Sequence, residues 1–225
     1  MAPPSPSSPP PSPSDEYTTL GDKTGAGVVT ERRSRFLAFA HHVTTPDEAR
    51  ALIASYRKTY YDARHVCYAY VIGTSGDTYR TNDDGEPSGT AGRPIIGQIR
   101  SASLTDTLVV VVRYFGGVKL GTSGLAEAYR SAAHAAIADA GTVTRVVTLP
   151  VTVTLPYTAM NSVMRAAKDM SAKIITQTYG SHGDCRLTLH VRAGAASRLR
   201  GVLARLPGVT DITDNPDNVT HDPNE

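Results

Sequence analysis

The sequence predicts an α+β protein made of two modules in series. Three observations carry this expectation. After Tyr17 strand-like and helix-like segments follow one another without a long break, and the run "TLVVVVRYF" (107 to 115) is continuous and β-branched, as a central strand covered on both faces should be. Residues 147 to 213 then read β-α-β-β-α-β, the ferredoxin-like order. With 225 residues and 40% apolar composition, there is enough material for a packed core in each module.

The elements follow from local chemistry. Residues 1 to 14 are almost entirely Pro and Ser, which cannot bury enough apolar area to offset ordering entropy, so residues 1 to 16 are expected to form a disordered arm. Strands are expected over 26 to 30 and 36 to 43. In Thr45-Pro46-Asp47-Glu48 a capping box carries Pro at the first helical position, and Ala49, Leu52, Ile53, Tyr56 and Tyr60 share one face of the helix it starts. A strand is expected from His65 to Ile72, a short helix around 95 to 99 with Pro94 in its first turn, and an alanine-rich helix from 123 to 140 stopped by Gly141.

In the second module Val147, Leu149, Val151, Val153 and Leu155 alternate with mostly threonine neighbours, the mark of a half-buried strand. Met160, Val163, Met164 and Ala167 then line a helix. Strands over 173 to 179 and 185 to 191 flank a turn at 181 to 184, and a last helix (Leu199, Val202, Leu203, Leu206) precedes a short strand over 209 to 212. Opposite its core set the third of these strands carries Arg186, Thr188, His190 and Arg192, beside Thr148, Thr152 and Thr154. Neither strand offers an aromatic side chain for stacking on bases, which argues against a sheet-face reader of RNA and leaves Arg186 and Arg192 as candidate phosphate contacts.

Charge is unevenly spread. The formal net charge is +2, but residues 147 to 210 hold eight Lys/Arg against Asp169 and Asp184, whereas residues 211 to 225 hold five acids and no Lys/Arg. A basic module thus precedes an acidic tail (214 to 225), which serves solubility or screens the basic surface. The two cysteines, Cys67 and Cys185, fall in different modules and are expected to be reduced core residues. No apolar run approaches the ~20 residues that cross a bilayer, and no signal pattern opens the chain, so a soluble, cytoplasmic protein is expected.

Two glycine-rich loops hold the residues with chemical potential. The first, "NDDGEPSGTAGRP" (82 to 94), crowds Asp83, Asp84 and Glu86 among three glycines and two prolines. Its carboxylates need partners if buried. They suit a divalent cation or a general base, or else a structural role in which Asp84-Gly85 makes an Asx-type turn, Glu86 pairs with Arg93 and Thr90 caps the next helix. The second, "RYFGGVKLGTSG" (113 to 124), lies between the central strand and a helix, where backbone N–H groups and the helix dipole attract anions. Gly116, Gly117, Gly121 and Gly124 let a phosphate approach, Arg113 and Lys119 supply charge, and Thr122 and Ser123 supply hydroxyls. Its spacing matches neither a P-loop nor G-x-G-x-x-G, and the plainer reading is a turn with Ser123 as helix cap. His65 and Cys67 share a strand face but lack a second ligand pair. No catalytic triad order, metal site or cofactor motif is present, so the expected protein is non-catalytic, and its oligomeric state is open.

Together "DARHVCYAY" (62 to 70), "DDGEPSGTAGRPI" (83 to 95) and "VVRYFGGVKLGTSGLAEAY" (111 to 129) resemble the YigZ/IMPACT family. The resemblance spans about residues 17 to 145. It implies an N-terminal domain over 17 to 146 of the α+β type shared by a small-subunit ribosomal protein, elongation factor G and the GHMP kinases, where the fold meets RNA or nucleotide phosphates. Residues 147 to 213 are similar to the C-terminal domain of elongation factor G. Eukaryotic members regulate a starvation pathway controlling translation, so the resemblance implies a translation-associated or stress-regulatory protein with RNA, the ribosome or a translation-related protein as partner. The alternatives are a phosphate-ligand enzyme or sensor and a protein-interaction module. One departure stands out. The family commonly has Gly-Thr-Gly-Gly where this chain has Gly121-Thr122-Ser123-Gly124, which would strain Ser123 if that position requires positive φ.

Overall fold

A computed structural model describes residues 15–180, 183–214 and 220–221. Residues 1 to 14 of the expected arm, the 181–182 part of the turn and most of the acidic tail lie outside the described residues. The arm's last two residues depart from the expectation: Asp15 is buried and accepts from Gly194 N–H (2.7 Å), and Glu16 opens the first strand. In chain order the elements are β1 (Glu16–Leu20), β2 (Gly25–Glu31), β3 (Ser34–His42), α1 (Pro46–Thr59), β4 (His65–Ile72), β5 (Thr78–Asn82), α2 (Gly92–Ser101), β6 (Thr107–Tyr114), α3 (Gly121–Ala140) and β7 (Thr142–Pro156). They continue with α4 (Met160–Asp169), β8 (Lys173–Tyr179), β9 (Asp184–Arg192), α5 (Ala193–Leu203), β10 (Asp211–Asp214) and β11 (Thr220–His221). The class is mixed α and β, and the chain divides into two compact units at 144/145, with Asp15 and Glu16 joining the second. No helix among the described residues is long and apolar enough to cross a membrane.

The first unit, Tyr17–Thr144, is built on an antiparallel sheet in the order β2-β3-β6-β4-β5. β6 is central and both its faces are covered, which explains its unbroken run of β-branched residues. On one face Phe36, Cys67 and Val111 pack with Ile95, Ile99 and Tyr129 from α2 and α3. On the other, Val66, Val110 and Val112 pack with Ala49 and Ile53 from α1. The capping box forms as expected: Thr45 Oγ1 accepts from Glu48 N–H (3.2 Å) and Glu48 Oε2 accepts from Thr45 N–H (3.3 Å). Gly141, at φ 72°, ends α3.

Sequence periodicity misses β1 and β5. Four of the five residues of β5, "TYRTN", are exposed, so no alternation of apolar and polar side chains betrays the strand.

The second unit pairs β7, β9 and β8 in that order, with β10 on the opposite edge of β7, all antiparallel. The strand that follows α5 lies at Asp211–Asp214, two residues beyond the expected position, and β11 pairs with β7 after it. Val153, Leu155, Leu187 and Leu189 face Val163, Leu199 and Leu203 in the core. On the other sheet face Thr152 and Thr188 share a hydrogen bond (3.2 Å) and Arg186 is exposed, but Thr148 and His190 are buried, so this face is not the uniformly solvated polar surface that alternation suggests. Arg192 is held by Glu16 at 3.1 Å.

Candidate functional site

At one end of the first unit's sheet three chain segments converge. Antiparallel register brings the start of β3, the end of β6 and the start of β4 side by side: Phe36 stands opposite Arg113, and Arg113 opposite His65. Both glycine-rich loops attach here, and the structure uses them in opposite ways.

The acidic block turns inward. Asp83 Oδ1 accepts from the N–H groups of Ala91 (3.0 Å) and Gly92 (2.8 Å) at the start of α2, and Oδ2 accepts from Gly89 (2.8 Å). Burial alone would raise the Asp83 pKa, but the three N–H donors outweigh it and hold the carboxyl below its ordinary value. This side chain, nine residues upstream, does the capping expected of Thr90, whose hydroxyl instead donates to the Pro87 carbonyl (2.6 Å). Asp84 braces β4, accepting from Val66 N–H (2.7 Å) and pairing with Arg57 (2.7 Å). The turn differs from the expected one: Asn82 Oδ1 accepts from Asp84 N–H (2.7 Å), and Asp84 and Gly85 both have positive φ.

Glu86 goes deepest. Its Oε1 accepts from Arg113 Nη1 (2.5 Å) and from the Tyr129 hydroxyl (2.8 Å), with His65 Nε2 at 3.7 Å. Both ion-pair side chains are nearly solvent-free. The expected Glu86–Arg93 pair does not form, because Arg93 packs over Gly89 near the Asp83 carboxylate. Arg113 is therefore withdrawn from the role of external phosphate ligand. His65 directs Nδ1 at the Asp84 carbonyl (2.7 Å), and the Cys67 thiol sits 3.1 Å from the Asp83 carbonyl and 3.3 Å from the Tyr129 hydroxyl. Burial pushes the Cys67 thiol and the Tyr129 phenol far above their ordinary pKa values. That shift favours the protonated form of both groups, which suits a hydrogen-bonding role in the core.

The second loop turns outward. Gly116 N–H donates to Ser34 Oγ (3.1 Å), and a Cβ at Gly116 would overlap the Arg33 carbonyl, so this glycine permits close approach to the β2–β3 turn. Beyond it Gly117 and Gly121 adopt positive φ in open space, and Lys119 is exposed. α3 begins at Gly121 with Leu120 in the cap position and no side-chain cap. Ser123 is thus inside the first turn, not its cap, and its φ is not positive, so the departure from Gly-Thr-Gly-Gly brings no strain. Thr122, Ser123 and Gly124 occupy that exposed-to-half-exposed first turn.

The sequence reading overlooked the tip of the β2–β3 hairpin. Arg32 (φ 44°) and Arg33 (φ 68°) hold both central positions of the turn between Glu31 and Ser34. A two-residue turn with positive φ at both positions ordinarily takes Asn-Gly or Asp-Gly, since other side chains are strained there. Arg32, Arg33, Arg35, Arg64 and Lys119 are all exposed at this rim, against Glu31 beside Arg32 and Asp62 beside the Tyr114 hydroxyl. The exposed aromatic residue Phe115, beside the Arg113 guanidinium, belongs to the same rim.

The Impact N-terminal domain profile matches residues 32–137, which contain the acidic block, the glycine loop and both arginines of the turn. The Escherichia coli protein "IMPACT family member YigZ" is 34% identical over 155 residues, covering 68% of this chain and 76% of that one. The chain belongs to the IMPACT family. Another family member, YvyE of Bacillus subtilis, is 41% identical over 129 residues, a match spanning 57% of this chain and 59% of that relative. A crystal structure described as that of a hypothetical protein superposes with a TM-score of 0.64 at 28% identity, covering 84% of this chain and 92% of the other.

Proposed function

We propose that this IMPACT family member is a non-catalytic, translation-associated or stress-regulatory protein that contacts RNA through the arginine rim of its first unit. The observation that carries the reading is the Arg32-Arg33 turn. Two non-glycine residues in the left-handed region cost roughly 1–2 kcal/mol each, and strained positions persist where function holds them. Here the strained turn carries two exposed arginines at the end of the sheet to which the segments of exposed Arg35, Arg64 and Lys119 also attach. Such a cluster neutralises phosphates and releases counterions.

The fold supports the same direction. The first unit is read as the ribosomal-protein/GHMP type of α+β domain, and the strand order β10-β7-β9-β8 of the second fits a ferredoxin-like domain similar to that of elongation factor G. Arg186 of that unit is a further phosphate contact. A phosphate-ligand enzyme is less well supported, because all three carboxylates of the acidic block are engaged by the protein itself.

The test replaces Arg32-Arg33 by Asn-Gly. Relief of strain is expected to raise stability by about 1–2 kcal/mol in urea unfolding, while RNA affinity falls and the slope of log K against log salt decreases by about two. A variant that is more stable yet binds RNA with an unchanged slope would remove the rim from the function.

A further inference from the structure

We infer that the rim selects single-stranded over duplex RNA by stacking an unpaired base on Phe115, an inference that rests on the RNA-contact reading above. Phe115 follows directly on β6 and leaves 47% of its surface exposed. It comes one residue after the half-buried Tyr114, which closes the seven-residue buried run of β6. It is also not floppy. On its buried side the Arg113 guanidinium lies 5.5 Å from the ring centroid, and that guanidinium is itself fixed by Glu86. Immediately after it, Gly116 is pinned through its N–H to Ser34 Oγ and by close approach to the Arg33 backbone.

The ring is therefore an aromatic platform set on a rigid base. Gly116 and Gly117 follow with no side chain to cover it, and Gly117 meets no neighbouring atom where a Cβ would project. Arg33, whose backbone abuts Gly116, and Lys119, four residues after Phe115, are exposed cations on the adjoining segments that can meet the phosphates of the same strand. An aromatic face flanked by cations is the arrangement that binds single strands, since every base offers a π-face while the cations follow the backbone. A duplex keeps its bases stacked on one another and offers only phosphates to this rim.

The experiment measures anisotropy of the full chain at low salt with an unstructured U-rich strand and with a blunt duplex of equal phosphate count. The wild type is expected to bind the single strand more tightly. Phe115→Ala and Phe115→Leu should each weaken single-strand binding by roughly fivefold or more, leave duplex binding unchanged, and be rescued by Phe115→Tyr, which keeps the ring. If both nucleic acids bind in a salt-dependent way but the Phe115 variants weaken neither, or weaken both equally, the stacking inference is overturned and the phosphate-contact reading stands. If the wild type binds neither, both fall. Unchanged circular dichroism and thermal midpoints in the variants separate a lost platform from a lost fold.

Discussion

The two glycine-rich loops at one end of the first unit's sheet are similar in composition and opposite in use. In the acidic block every carboxylate is directed into the protein: Asp83 to the start of α2, Asp84 to β4 and Arg57, Glu86 to Arg113 and Tyr129. In the glycine loop Phe115 and Lys119 are directed outward and no side chain caps α3. The difference teaches that the charged loop builds the site and the sparsely charged loop presents it. They meet in Arg113, whose guanidinium joins Glu86 on one side and stands beside Phe115 on the other.

The sharpest way to break this comparison is at Glu86. Replacing it with Gln leaves Arg113 buried with its charge uncompensated, and breaking such a pair from one side costs about 3–5 kcal/mol. Urea unfolding of Glu86→Gln is expected to show that loss. Tyr129→Phe removes the hydrogen bond to the Glu86 carboxylate together with the weaker contact from the Cys67 thiol, and should cost about 1.5–3 kcal/mol. A Glu86→Gln midpoint within error of the wild type would mean that the ion pair contributes nothing to holding the two loops together.

What was legible in the sequence follows from range. The Thr45–Glu48 capping box and the Gly141 stop involve partners a few residues apart, and both appear as read. The central position of β6 was legible because burial on both faces leaves an unbroken apolar run. The destination of Glu86 was not legible, since it is set by sheet register that places Arg113 beside His65, 27 residues from the carboxylate in sequence. The start of α2 was misread for the same reason at shorter range: its cap comes from Asp83 across a folded loop, and not from the adjacent Thr90. Arg32-Arg33 was not legible because local rules look for Asn-Gly at such a turn, and an exception to them carries no propensity signal.

A gentler probe of the inward loop is Asp83→Asn. The amide keeps an acceptor but loses the charge that three N–H groups favour, so a deficit of about 1 kcal/mol is expected at pH 7. The sign of its pH dependence is fixed by the direction of the shift. Because the folded state holds the Asp83 carboxyl below its ordinary value, its contribution is complete above about pH 5 and is lost as pH falls through the depressed folded value. Urea midpoints of wild type and Asp83→Asn should therefore differ at pH 7 and converge toward pH 2–3. A gap that persists undiminished in acid would assign the loss to packing, and not to the charged cap.

Lys119 is expected to give the smallest stability effect and thereby the cleanest contrast between the loops. It is exposed in a loop where the neighbouring glycines meet nothing, so truncation to Ala removes no buried contact and should change unfolding free energy by less than about 0.5 kcal/mol. If the outward loop presents cations to a phosphate backbone, the same variant lowers the salt slope of RNA binding by about one and weakens binding to all sequences alike, since a phosphate contact carries no base information. The inward loop should show the reverse pairing, with a large stability loss at Glu86 and binding affected only as the fold is. Comparable effects of Lys119→Ala on stability and a flat salt response would erase the division of labour between the loops, because Lys119 would then belong to the scaffold as Glu86 does.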